Sequence, residues 1–368
     1  MKLFFSSYDD IKNPYYGGGG AFAVHEIAKR LIPKHSVTVV TSRYPGSKNE
    51  VLEGVSYIRI GTQGKISAKL SQLVFQILLP IKVLITHHDV WFESFTPPFS
   101  TAFLPLYTRK PVVGITQLLA GREMSEKYKL PFYLLEKFGL SFYKNIVVLN
   151  ESIKKQILKI NNKIRVFVIP NGVNTNLANL EYEKNTEDII LFLGRIDTVQ
   201  KGLDLLIKVF DLIKGQVKED FIIAGGGLDS EIAKLNIMIS EAGLVGRVKY
   251  VGMVQGSEKV ELFKRAKIFV MTSRFEAFPL TMLEAFSYKV PVIYFNIDQL
   301  KFLPEDIAIK IEPENVNTFA EGLNMLIRNP ELAKSLVLKA KEFVKNYTWD
   351  KIAEKYLRVI NDLNNDKA

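Results

Sequence analysis

The chain has 368 residues, 47% apolar and 24% charged, an ordinary globular composition at a length that favours two domains of roughly 100 to 200 residues. With no cysteine and four histidines it excludes a disulfide framework, a thiolate nucleophile and any cysteine-based zinc or iron–sulfur centre, and argues against a histidine-rich metal site. The net charge of +10 is one-sided: residues 1–170 hold 23 Lys and Arg against 11 Asp and Glu, the remainder 26 against 28, so the first half is either a lysine-rich solubilising surface or a face for an anionic partner.

Nucleic acid is disfavoured as that partner, because no RNA- or DNA-binding signature accompanies the charge. The sequence turns polar after five residues, with no secretory apolar region, so a cytoplasmic protein is expected. Short β-branched and aromatic runs alternate with amphipathic stretches, the pattern of βαβ units. They predict strands at 2–7, 36–43, 55–61, 89–94, 112–117, 146–150 and 166–170, then at 189–195, 221–225, 248–251, 268–272, 290–295 and 308–311. The most apolar stretch, 73–86, contains Gln76, Pro80 and Lys82 and falls short of the roughly 20 residues of a spanning helix; it can at most lie on a membrane surface. Pro170-Asn171-Gly172 signals a boundary between two doubly wound α/β halves facing across a cleft, residues 1–170 and 171–345, with 346–368 as a C-terminal helix packing back on the first.

In open α/β sheets ligands sit beyond the carboxyl ends of the strands, so loops that follow strands carry the chemistry. Gly17 to Gly20 precede the helix starting at Ala21; they either bring backbone amides close to a ligand or form a plain surface loop, and they do not match a dinucleotide fingerprint. After the strand ending near Leu193, Arg195 and Lys201 flank a helix start, either as solvated surface cations or as a fork and an ammonium aimed at one diphosphate. After the strand ending at Thr272 comes a loop with Glu276, and Pro279 reads as the first residue of a helix whose free amides attract anions. Glu284 lies in the apolar run Met282 to Phe286, where a carboxylate needs a ligand or a buried donor. Ala224 to Gly227 fit a tight strand-to-helix turn equally well. His87 and His88 are read as structural.

These pieces, in this order, resemble the GT-B glycosyltransferases of family 4, the retaining nucleotide-sugar-dependent group. The resemblance rests on Gly17 to Gly20, Ile146 to Lys155, Val168-Ile-Pro-Asn171-Gly172-Val, Gly194-Arg195 with Lys201-Gly202, Ala224 to Gly227, Tyr250 to Val254, Glu276-Ala277-Phe278-Pro279-Leu280 through Glu284, and Pro291-Val-Ile, and it covers nearly the whole chain. It implies a UDP- or GDP-sugar donor, held mainly by the second domain, and no cofactor. Arg195 and Lys201 would hold the diphosphate, Glu276 the sugar hydroxyls and Glu284 the ribose. Gly17, Gly18, Gly19, Gly20, Gln117, Asn171, Gly194, Ala277, Phe278, Pro279 and Leu280 would surround sugar and phosphate, with the base near Met253 and Val254. The acceptor, a glycan or a lipid-linked one, would dock on the first domain; separately, the positive charge of that half and the apolar stretch near Leu70 to Leu84 suggest an acceptor that is lipid-linked or sits at an anionic membrane face, with the protein cytoplasmic or peripheral at the inner face. No Asp-x-Asp occurs, so a metal-independent mechanism is expected.

The sequence departs from the family at three places. Gln117 stands where many members carry a His, and an amide hydrogen-bonds but is no general base. Lys289 stands where a Gly is usual, and the customary glycine-rich loop after Phe295 reads Asn296-Ile-Asp298-Gln299-Leu-Lys301. A sugar-nucleotide-binding or scaffold protein without turnover is the alternative these departures keep open; an NAD-dependent oxidoreductase is disfavoured by the missing fingerprint.

Overall fold

The computed structural model describes residues 1–13, 18–62, 68–97, 101–119, 121–174 and 189–365, which form two compact units, Met1–Gly172 with Trp349–Ala368, and Val173–Thr348. In unit 1 the elements are β1 (Lys2–Ser6), α1 (Gly19–Leu31), β2 (Ser36–Ser42), β3 (Glu50–Leu52), β4 (Val55–Ile60), α2 (Ala68–Ile85), β5 (Val90–Ser94), β6 (Val112–Thr116), α3 (Gly121–Tyr128), α4 (Phe132–Leu140), β7 (Asn145–Val148), α5 (Glu151–Ile160) and β8 (Arg165–Val168). Unit 2 contains β9 (Ile189–Leu193), α6 (Leu203–Ile213), β10 (Asp220–Ala224), α7 (Asp229–Glu241), β11 (Val248–Tyr250), α8 (Gly256–Arg265), β12 (Ala266–Met271), α9 (Leu280–Ser287), β13 (Val292–Phe295), β14 (Ile309–Ile311), α10 (Val316–Arg328) and α11 (Pro330–Val344). The chain then returns to unit 1 as α12 (Trp349–Asn365).

Unit 1 is an eight-stranded sheet in the order β3-β4-β2-β1-β5-β6-β7-β8, parallel except for the β3–β4 hairpin. Its central strands read as continuous apolar runs because helices cover both faces; β6 (VVGIT) is buried at every position. The hairpin escapes the sequence reading. Its two turn residues, Glu53 and Gly54, both take positive φ (45° and 85°), the twist a two-residue antiparallel connection needs, and Glu53 is an unusual occupant. Helix α12 belongs here by packing: Trp349 meets Phe22 edge-on at 5.9 Å, and Tyr356 lies 5.6 Å from Phe92.

Unit 2 is a six-stranded parallel sheet in the order β11-β10-β9-β12-β13-β14, the doubly wound arrangement of a dinucleotide-binding domain. The strand order reverses between β9 and β12, so the loops leaving those two strands diverge and open a crevice. Each predicted strand is found, with ends moved by at most two residues. Asn329 caps α11 through its side chain with Pro330 at the first helical position.

Candidate functional site

In unit 2 the crevice at the sheet's reversal point is where two of the sequence-selected residues meet. Lys201, in the loop after β9, places its Nζ 2.6 Å from Glu276 Oε1, in the loop after β12. Ser273 Oγ donates to the same carboxylate oxygen at 2.6 Å. The Lys201 and Glu276 side chains keep 16% and 8% exposure, so the pair is enclosed yet reachable.

The loop bearing Lys201 is held on every side. Gly202 takes φ 62° at the cap of α6, and a Cβ there would sit 2.1 Å from the Thr272 carbonyl oxygen, so only glycine lets the two strand ends approach. Thr272 Oγ1 donates to the carbonyls of Lys201 and Gly202 at 3.1 and 3.0 Å. Arg274 makes a bidentate pair with Asp204 (2.8 and 2.8 Å), reaches Glu314 at 2.5 Å and donates to the Val199 carbonyl at 3.1 Å. Those carboxylates, Asp204 foremost, push the guanidinium pKa upward. From α7, Glu231 accepts the Thr198 amide at 2.9 Å; Lys234 and that amide hold its carboxyl down at about 2.

Gly194 lies beside the Lys201 stem, a Cβ on it falling 3.9 Å from Lys201 Cε, and the next residue, Arg195, is exposed and forms no ion pair among the described residues. Ala224 to Gly227 are explained by backbone packing, since a Cβ on Gly225 would lie 1.7 Å from the Gly194 carbonyl oxygen. Met253 is exposed next to Gly226, and Val254 is half-buried.

Helix α9 begins one residue later than expected: Pro279 is its cap (φ −86°, ψ 73°) rather than its first residue. The Leu280 amide turns onto the Phe278 carbonyl at 3.0 Å instead of projecting freely. The Phe278 ring is buried, stacked 5.6 Å from Phe302, while Ala277 is half-buried. One turn into the helix, Glu284 has a half-buried donor that sequence spacing does not reveal, Lys259 on α8 at 2.6 Å. Lys289 adopts φ 57° just past α9, the left-handed position usually given to glycine.

In unit 1, Gly17 lies outside the described residues. Gly18 caps α1, and Gly19 and Gly20, expected in a loop, form the helix's first turn. Gln117, just after β6, approaches so closely that a Cβ on Gly20 would lie 2.9 Å from its Nε2. Asn171 is buried at the end of the unit. His88 is structural: its Nδ1 lies 2.9 Å from the Thr86 carbonyl oxygen, and burial lowers its pKa. Among the described residues no group of three or more His, Asp or Glu is placed to hold a metal ion, and no helix is long and apolar enough to cross a membrane.

Comparison with known proteins identifies the family. Residues 17–177 match the glycosyltransferase family 4 model and residues 173–343 the model for glycosyl transferases group 1, so the two halves match in the order the sheets predict. The chain is a group 1 glycosyltransferase of the GT-B fold. It is 26% identical to an uncharacterised glycosyltransferase of Methanocaldococcus jannaschii, covering 94% of this chain and 95% of that one. It is 22% identical, over 95% of this chain and 96% of the other, to the GalNAc-α-(1→4)-GalNAc-α-(1→3)-diNAcBac-PP-undecaprenol α-1,4-N-acetyl-D-galactosaminyltransferase of Campylobacter jejuni. Among solved structures, Anabaena HepE in complex with UDP and glucose superposes with a TM-score of 0.77 at 16% identity, over 98% of this glycosyltransferase and 99% of HepE.

Proposed function

We propose that this glycosyltransferase moves a hexose-type sugar from a UDP- or GDP-sugar to a glycan or lipid-linked acceptor, with retention of anomeric configuration and without a metal. The observation that carries the reading is the Lys201–Glu276 pair at the reversal point of the unit 2 sheet. When the bond between sugar and diphosphate breaks, negative charge grows on the leaving group. Lys201 supplies fixed positive charge there, at no reorganisation cost because Thr272, Arg274 and Glu231 already hold its loop, and the exposed Arg195 adds a second cation to the diphosphate. Glu276 keeps acceptor capacity for sugar hydroxyls, and Glu284, steadied by Lys259, takes the ribose hydroxyls. Within unit 2, Ala277 to Leu280 and Gly194 complete the donor's surroundings, with the base at Met253 and Val254. The missing Asp-x-Asp supports a charge-stabilised rather than metal-assisted departure.

A lipid-linked acceptor, met at the anionic inner face of a membrane, is supported by the undecaprenol-linked substrate in the name of the Campylobacter relative and by the positive charge of unit 1. A thermal-shift panel of UDP- and GDP-sugars tests the donor. The true donor at about a hundred times its dissociation constant raises stability by about 2.7 kcal/mol, and an α-linked product from an α-linked donor, read by proton NMR, confirms retention. A panel in which no UDP- or GDP-sugar shifts the transition sinks the reading.

A further inference from the structure

Helix α2 presents a face that stays exposed, with nothing among the described residues of its own unit covering it. Ser71, Phe75, Leu79 and Val83 point into the core at helical spacing. The opposite side carries Leu70, Leu73, Ile77, Ile81, Leu84 and Ile85, exposed by 45 to 74%. A water-facing helix surface normally bears charge, yet between positions 70 and 86 the one charged residue is Lys82. A contiguous apolar stripe of this kind marks a binding surface.

The short 3₁₀ turn at Leu104–Leu106 packs against α2 and extends the stripe, with Leu106 and Tyr107 exposed. It leads straight into exposed Arg109 and Lys110. Thr108 Oγ1 lies 3.4 Å from His88 Nε2, which fixes these two cations near the C-terminal end of the helix. The nearby acid, Asp89, is engaged by the Lys2 amide at 2.7 Å. Aliphatic side chains rimmed by cations therefore share one face of a unit that holds 27 Lys and Arg against 15 Asp and Glu.

We infer that this face, α2 with the segment Leu106 to Lys110, docks on an anionic lipid bilayer, the helix lying in the plane of the interface with its stripe at the boundary of headgroups and acyl chains. Charge decides the occupant. A second copy would bring two strongly basic units together, whereas an anionic membrane offers hydrocarbon and negative charge at once. Because the inner side of α2 is built into the core, the helix cannot turn to span the bilayer. The inference deepens the lipid-linked acceptor reading above, by naming the surface that meets the lipid.

Flotation of the full chain with vesicles of phosphatidylcholine alone, or mixed with phosphatidylglycerol, tests it. The wild type is expected to float with the mixed vesicles only. Ile77→Asp with Ile81→Asp should lose at least about tenfold in partitioning, and Arg109→Ser with Lys110→Ser about fivefold per charge, while thermal unfolding and hydrolysis of a UDP-sugar stay unchanged. Equal flotation with both vesicle types, or undiminished flotation of the aspartate variant, overturns the assignment. So does a wild-type dimer by light scattering that Ile77→Asp makes monomeric without vesicle binding. Loss of sugar-nucleotide hydrolysis with flotation intact would strike the donor reading alone, and the reverse result this one alone.

Discussion

Each unit encloses an ion pair, and the two pairs are finished differently. In unit 1, Asp10 and Arg59 have fully buried side chains: Arg59 donates to Asp10 at 2.7 and 3.2 Å, and Thr41 and the Lys12 amide donate to the same carboxylate. Arg59 also serves Glu50 at 2.9 Å and the Lys48 carbonyl, so the pair closes on itself. In unit 2, the Lys201 ammonium has three donors and, among the described residues, one side-chain partner; Glu276 adds only Ser273, and both remain partly exposed. A saturated pair holds a fold together. An unsaturated pair beside a crevice keeps hydrogen-bonding capacity for something that arrives.

Substitution separates the two kinds. Arg59→Met strands Asp10 without its charge partner and is expected to lower stability by about 3–5 kcal/mol in denaturant titration. Lys201→Met is expected to reduce turnover of the sugar nucleotide by about 10²- to 10³-fold with a much smaller stability loss, since Glu276 retains Ser273 and water. If Lys201→Met unfolds as readily as Arg59→Met while keeping activity, the contrast collapses and the unit 2 pair is structural.

A third enclosed carboxylate sharpens the comparison by having, among the described residues, no cationic partner. Glu93 accepts the Ala102 and Leu104 amides at 2.7 and 2.9 Å and the Tyr143 hydroxyl at 2.6 Å, and burial pushes its pKa up to about 7 from 4.5 despite those donors. Between those values the folded chain holds a proton that the unfolded chain has released. Its stabilising effect is therefore full below pH 4.5 and lost as pH rises through 7, by up to about 3 kcal/mol. Denaturation midpoints of wild type minus Glu93→Gln, followed from pH 5 to 7.5, should fall with pH; a flat difference refutes the shift. The smallest effect concerns Lys289, held at φ 57°. Lys289→Gly should raise stability by up to about 1 kcal/mol in thermal unfolding, and a loss instead would show that the lysine side chain compensates the strained backbone.

The strands were legible because parallel strands buried on both faces must be apolar throughout, as in β9 (IILFL). Strand β3, three residues closed by an atypical Glu-Gly turn, gives no such run. Lys201 and Glu276 could be picked from the chain because each follows a strand, and β9 and β12 are neighbours in the sheet, so the starts of their loops meet before the connections part. Lys259 could not: it meets Glu284 from another helix, 25 residues away, and no local pattern records that encounter. Gly19 and Gly20 misled because glycine is a poor helix former; their helical turn is paired with the close approach of Gln117, a contact made only after folding. The periodicity of α2 shows an apolar helix, but which of its sides stays outside depends on the sheet beneath it.

The return of the chain to unit 1 also orders its biogenesis. Residues 173–348 are contiguous, so that half can complete its core as soon as it leaves the ribosome. Unit 1 must wait, with Phe22 and Phe92 lacking the aromatic cover of Trp349 and Tyr356, until α12 emerges. Of the two units, the one begun earlier is thus completed later, and through that interval its nascent hydrophobic surface is what a chaperone would find.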